Sequence, residues 1–180
     1  AGPMSMLYRI NAGSIPKDSW IQDMQLGGGR IVGEACHFVD FLTWLCGSLP
    51  RCVHAVALSD PHGLNDTVSI NLEFANGSIG SINYFANGSK ELAKEYMEVY
   101  AAGRTGIIRD FKEIEIHSSG KPYRKKSFSQ DKGQASMVKA FIASVRNGGA
   151  PIIPAAESFA ATRATFAVLE SLRTRQSVVL

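Results

Sequence analysis

Gly27-Gly28-Gly29-Arg30-Ile31-Val32-Gly33-Glu34-Ala35-Cys36-His37-Phe38-Val39-Asp40 runs from a glycine turn straight into a helix that carries reactive side chains. Set on a helix at roughly 100° per residue, Arg30, Gly33, Glu34, His37 and Asp40 share one side, and Ile31, Val32, Ala35, Phe38, Val39, Leu42 and Leu45 share the other. One side packs on a core; the other is free for chemistry. The helix is expected over residues 30–46, stopping where Gly47 can turn left-handed, with Pro50 barring continuation.

Outward from this helix the chain is mostly strand. Residues 4–11 read as a strand that leaves regular structure at the turn-rich Asn11-Ala12-Gly13-Ser14-Ile15-Pro16, and a loop bearing Trp20 leads to the glycines. Residues 52–58 form a short apolar strand. Val68, Ile70, Leu72 and Phe74 alternate with Thr67, Ser69, Asn71 and Glu73, the pattern of a half-buried strand, and Asn76-Gly77 supplies a hairpin turn into residues 78–85. Asn87-Gly88 marks the next reversal, before short strands at 95–101, 106–111, 113–117 and 123–129. Helical spacing returns at 134–146, through Met137, Ala140, Phe141 and Val145, and at 155–173, through Phe159, Ala160, Phe166, Leu169 and Leu172. Residues 177–180 can close as a last strand. Runs of strands beside separate helices, with little βαβ alternation, indicate an α+β fold: a largely antiparallel, open mixed sheet with helices packed on one face.

At 180 residues and 45% hydrophobic content, the chain can bury a real core and is read as one domain over 1–180. No apolar run approaches the roughly 20 residues that cross a bilayer, and the N-terminus lacks a signal-peptide pattern. No membrane partner is expected, and the chain reads as cytoplasmic. Its three cysteines, Cys36, Cys46 and Cys52, show no C-x-x-C spacing, which argues against a disulfide framework or a zinc ribbon. The net charge of +3 and a single basic cluster (Lys121, Arg124, Lys125, Lys126) are too weak for a nucleic-acid binder. Asn65-Asp66-Thr67, Asn76-Gly77-Ser78 and Asn87-Gly88-Ser89 match the glycosylation sequon but read as turns.

The glycine turn and the helix N-terminus offer N–H groups and partial positive charge, and Arg30 adds a cation; together they could hold a phosphate or carboxylate. The spacing is not the dinucleotide fingerprint. His37 is the leading candidate for catalysis, because an imidazole exchanges protons near neutral pH, and Glu34 and Asp40, one turn to either side, could orient it. A metal site from Cys36, His37 and Asp40 is disfavoured, since Cys36 points roughly 100° away from His37. Arg9, beside Tyr8 and Asn11 at the end of the first strand, could clamp an acidic group.

These residues resemble the C-terminal domain of the Gfo/Idh/MocA oxidoreductases, whose helix has the form G-G-G-x-x-x-D-x-x-x-H-x-x-D. Gly27-Gly28-Gly29, His37 and Asp40 match it in place. Gly103-Arg104-Thr105-Gly106 is similar to the family's G-x-x-G turn, and Glu170-Ser171 followed by Val178-Val179-Leu180 to its terminal segment. The family's aspartate is Gly33 here, with Glu34 beside it, a variant similar to modules joined to a zinc-type alcohol dehydrogenase. The lysine of the family's E-K-P motif belongs to a half outside this chain.

The resemblance implies a glyceraldehyde-3-phosphate dehydrogenase-like C-terminal domain for substrate binding and oligomerisation. An N-terminal Rossmann domain, absent here, would hold NAD or NADP. The implied activity is oxidation or reduction of a sugar, nucleotide-sugar or cyclitol hydroxyl, with a sugar-like small molecule as substrate and a homodimer formed through the sheet face. His37 and Glu34 would be catalytic. Arg30, Tyr8, Arg9, Asn11, Trp20 and Asp40 would bind substrate, and Gly28 and Gly29 would lie next to the cofactor. The 180 residues alone are expected to hold no cofactor or metal and to be inactive. The alternative is a non-catalytic oligomerisation or ligand-binding module of the same fold.

Overall fold

The computed structural model describes residues 2–61 and 63–180. Among the described residues nine strands form one sheet: β1 (Ser5–Asn11), β2 (Pro50–Ala57), β3 (Thr67–Phe74), β4 (Ile79–Phe85), β5 (Glu95–Ala101), β6 (Arg104–Arg109), β7 (Glu113–His117), β8 (Tyr123–Lys126) and β9 (Val178–Val179). Their order is β8-β7-β6-β5-β1-β4-β3-β2-β9. Every neighbouring pair is antiparallel except β1 and β4, which run parallel at the centre with Asn11 opposite Phe85. The sheet is thus open, mixed and largely antiparallel, as the strand pattern predicts.

The hairpin between β3 and β4 forms as the Asn76-Gly77 pair dictates. Gly77 takes a φ of +83°, and the Asn76 side chain accepts from the Ser78 N–H and donates to the Cys46 carbonyl, tying the turn to the neighbouring helix. That helix, α1 (Cys36–Cys46), lies across the sheet with Phe38, Val39, Leu42 and Cys46 buried. It ends at Gly47, whose φ of +62° lets its N–H reach the carbonyls of Thr43 and Trp44. Close approach to the sheet depends on Gly80, where an added Cβ would stand 2.8 Å from Leu42 Cδ1.

A long helix, α3 (Ala155–Thr174), packs beside α1 and over β2, burying Ala161, Ala164, Ala167 and Val168. Small residues along that stripe let the helix sit close. Ser171 adds a polar tie: its hydroxyl accepts from the Ala55 N–H and donates to the Gln176 carbonyl. The core therefore lies between α1, α3 and one sheet face, centred on Tyr8, Ile10, Leu42, Ile70, Ile82 and Tyr84. The opposite face stays open and mixed, with Arg9, Ser69, Asn71, Ser81, Asn83 and Glu98 beside Leu7, Val56, Ile79 and Tyr100.

Two expectations are corrected. The helix spans the expected residues 30–46 but is not regular throughout: residues Ile31–Ala35 form a π-helical turn between the α-helical Gly29–Arg30 and α1. The third helix, α2 (Gln134–Arg146), does not join the others on the sheet, and none of its residues is buried. Among the described residues no helix is long and apolar enough to cross a membrane.

Candidate active site

The parallel strands β1 and β4 end side by side, and the segments that follow them, 12–30 and 86–94, meet the start of the helix there. Arg30 draws them together. Its guanidinium, 4% exposed, donates to the carbonyls of Gly13 (2.6 Å) and Ala12 (3.4 Å), pairs with Glu34 (3.2 Å), and lies 5.0 Å over the Tyr84 ring. Asn11 fixes the other segment: its side-chain amide donates to the carbonyls of Ser89 (2.6 Å) and Leu92 (3.0 Å), and its backbone N–H donates to that of Lys94. Gly88 has to be glycine at this contact, because a Cβ there would lie 2.0 Å from Asn11 Oδ1. Gln22, donating to Asp66 at 3.2 Å, links the first loop to the segment before β3.

Glu34 is the hub. One carboxylate oxygen accepts from Lys94 Nζ at 2.6 Å; the other accepts from the Tyr84 hydroxyl at 2.5 Å and from Arg30. Burial alone would raise its pKa, but the bonds from Lys94 and Tyr84 and the two cations outweigh burial and hold the carboxyl below the usual range. Tyr84 moves the opposite way, since burial and the neighbouring Glu34 anion push its hydroxyl far up. At neutral pH the pair is an ionised carboxylate held by a phenol that keeps its proton.

His37 stands one turn further along, exposed, and its side chain makes no hydrogen bond among the described residues. Neither Glu34 nor half-buried Asp40 bonds the ring, contrary to the expectation that one of them orients it. Between Glu34 and His37 the π-helical turn changes the angular step of residues 31–35, so wheel positions computed at 100° per residue do not carry across it. The same break puts Arg30 inside, against the strand-end carbonyls, instead of on an open polar side.

The remaining predicted site residues scatter. Tyr8 faces the helices, 2% exposed, between Phe38 and Phe41 at ring separations of 5.1 and 5.7 Å. Its hydroxyl donates to buried Glu95, which also pairs with Lys132. Arg9, next in the strand, points to the opposite face, where it donates to the Ala93 carbonyl and lies over Tyr96, so Tyr8 and Arg9 do not share a pocket. Trp20 is 66% exposed on the loop.

Gly28 and Gly29 both take a φ of +72°, and a Cβ on Gly27 would lie 2.5 Å from the Trp20 carbonyl oxygen. The three glycines thus make a tight turn. The N–H groups of Gly27 and Gly28 both donate to the Asp23 carbonyl, so they are not free to cradle a dinucleotide pyrophosphate. No three His, Cys, Asp or Glu side chains among the described residues are grouped to hold a metal ion.

Tyr84 and Lys94 are the site residues that sequence reasoning missed. Tyr84 reads only as an alternating strand residue. Lys94 sits in a stretch without periodicity, and nothing local signals that it meets a helix residue 60 positions away.

A family model described as "Oxidoreductase family, C-terminal alpha/beta domain" matches residues 7–180. Among curated proteins, none matches the chain in sequence. Solved structures share its fold. Aldose-aldose oxidoreductase from Caulobacter crescentus, complexed with glycerol, superimposes with a TM-score of 0.80 at 18% identity, over 99% of this chain and 56% of that one. Levoglucosan dehydrogenase, in complex with NADH and levoglucosan, gives 0.80 at 16% identity, over 99% and 58%. A protein described as a putative myo-inositol dehydrogenase from Sinorhizobium meliloti 1021 gives 0.73 at 20% identity, over 99% and 56%. The chain therefore spans little more than half the length of these proteins.

Proposed function

The chain belongs to the Gfo/Idh/MocA oxidoreductases as their C-terminal α/β domain, and on that premise we propose that it is the substrate-side half of an NAD(P)-dependent enzyme acting on a sugar-like or cyclitol hydroxyl. The observation that carries this reading is the Glu34 hub with exposed His37 one turn away. His37 takes the proton from the substrate hydroxyl during oxidation and returns it during reduction. Glu34 acts as a positioning residue: its ionised carboxylate fixes Lys94 and Tyr84, and Lys94, 43% exposed, offers its remaining N–H donors to a substrate oxygen. Arg30 and Asn11 hold the two loops that frame this corner.

The nicotinamide supplies the hydride chemistry, and a separate dinucleotide-binding domain holds it, because the glycine turn of this chain does not fit a pyrophosphate. Solved relatives in complex with glycerol or with NADH and levoglucosan support a polyol substrate and a nicotinamide cofactor for the intact enzyme. The open face of the sheet is the proposed homodimer surface, and its groove of about 370 Å³ lined by Leu7, His54, Asn71, Ile79, Ser81 and Tyr100 is the place a second copy would fill. The second reading, a ligand-binding module without chemistry, is favoured by Gly33 at the family's aspartate position.

In the two-domain enzyme, His37→Ala is expected to lower turnover by roughly 10²–10⁴-fold with substrate binding largely kept. A rate near that of the unaltered enzyme removes His37 from the mechanism, whereas no turnover by the unaltered two-domain protein leaves the binding-module reading. The 180 residues alone are expected not to oxidise NAD(P)H.

A further inference from the structure

The same run of residues occurs twice, as Phe74-Ala75-Asn76-Gly77-Ser78 and as Phe85-Ala86-Asn87-Gly88-Ser89. An asparagine followed by glycine is open to attack by its own chain, because glycine has no Cβ to shield its nitrogen from the neighbouring side-chain amide. Local sequence is therefore equal at the two places. The fold treats them differently.

At the first run the reacting groups are tied down. The Asn76 side chain donates to the Cys46 carbonyl at 2.9 Å and accepts from the Ser78 N–H at 3.0 Å. The Gly77 nitrogen, which would make the attack, donates to the Phe74 carbonyl at 3.0 Å. At the second run Asn87 and Gly88 are both exposed, and neither the Asn87 side chain nor the Gly88 N–H makes a hydrogen bond among the described residues. A third pair, Asn147-Gly148, lies between these cases, since its glycine N–H donates to the Val145 carbonyl at 3.4 Å.

The surroundings of Asn87 decide what a change there does. Gly88 sits so close to the Asn11 side chain that one added carbon has no room. Asn11 in turn holds the Ser89 and Leu92 carbonyls through its amide, and the Lys94 carbonyl through its backbone N–H. Lys94 reaches Glu34 from this fixed segment.

We propose that Asn87 is a self-modification site, at which slow conversion of asparagine to isoaspartate frees the 86–94 segment from Asn11. The Gly88 nitrogen attacks Asn87 Cγ, forming a new C–N bond. Its proton passes to solvent, and the side-chain nitrogen leaves as ammonia, which closes a cyclic imide. Water then opens the ring. Addition at the Asn87 backbone carbonyl leaves Gly88 joined through the former side chain, so the main chain gains one carbon and residue 87 keeps a free carboxylate. Addition at Cγ instead gives aspartate with the ordinary linkage. The lengthened chain cannot keep Gly88 against Asn11, so the bonds to Ser89 and Leu92 open and Lys94 loses its place beside Glu34.

Incubation of the 180-residue chain at mildly alkaline pH, followed by peptide mapping in a mass spectrometer, tests the site. Asn87 is expected to deamidate at least about tenfold faster than Asn76, where three hydrogen bonds must open before the ring can close, and faster than Asn147. In the unfolded chain the rates at Asn76 and Asn87 should converge, because their flanking residues are the same. A rate at Asn87 no faster than at Asn76 or Asn147 in the folded chain overturns the proposal. The consequence is read separately, from exchange of the Asn11 side-chain amide protons by NMR. Their protection is expected to fall as isoaspartate accumulates, and to persist in Asn87→Ser, which cannot form the imide. Protection that survives in chains carrying isoaspartate overturns the release of the segment. Neither readout depends on turnover, so a failure of the His37 reading leaves both standing.

Discussion

Helices α1 and α2 carry the same kind of message in sequence and meet opposite fates. Both show apolar residues at helical spacing, but Leu42 of α1 is fully buried under the sheet while Phe141 of α2 is 61% exposed. The difference lies in what each helix finds opposite its apolar stripe. For α1 the partner is in the same chain, with Gly80 leaving room for Leu42 and the rings of Tyr8 and Tyr84 flanking Phe38. For α2 the described residues contain no partner. Periodicity announces that a helix has something to bury, and it is silent on whether the burying surface is encoded nearby.

The sharpest way to break this comparison is by truncation on each stripe. Leu42→Ala removes a fully buried side chain from between helix and sheet, and is expected to cost about 2–5 kcal/mol in urea unfolding. A loss below about 1 kcal/mol there would mean that α1 is not part of the core.

A smaller effect belongs to the start of the helix. Glu34→Gln is expected to cost about 1–3 kcal/mol at pH 7, where the carboxylate accepts three bonds. Because the folded state holds the Glu34 pKa below its unfolded value, the stability it contributes is complete above the ordinary carboxylate range, about 4.3, and disappears as pH falls through the lower folded value. The gap between variant and unaltered chain should therefore shrink from pH 7 to pH 3. A gap that stays constant shows that Glu34 is not held as an ion.

The smallest change is expected on α2. Phe141→Ser in the 180-residue chain should stay within about 0.5 kcal/mol of the unaltered stability. A cost matching that of Leu42→Ala would show α2 packed after all, and would erase the contrast between the two helices.

Most of the strand and helix pattern was legible because it is local. Alternation from Thr67 to Phe74, the Asn76-Gly77 turn and the Gly47 stop each act over a few residues, and the chain folds there as those residues direct. The corner around His37 was legible only in part. Its helix and Glu34 stand in one contiguous motif, but the expected bond from Glu34 to His37 is replaced by bonds to Tyr84 and Lys94, 50 and 60 positions away. Arg9 and Tyr8 looked like one cluster, yet strand alternation sends them to opposite faces of the sheet.

By itself, then, the sequence determined the elements, their turns and the motif of the Gfo/Idh/MocA C-terminal domain, since hydrophobic periodicity and turn chemistry act along the chain. Tertiary structure alone decided the π-helical turn that re-aims Arg30, the partners that ionise Glu34, and the bareness of α2. Each of those depends on surfaces brought together by folding: a carboxylate takes the nearest cations and hydroxyls in space, and an apolar stripe stays exposed until some surface, in this chain or another, comes to cover it.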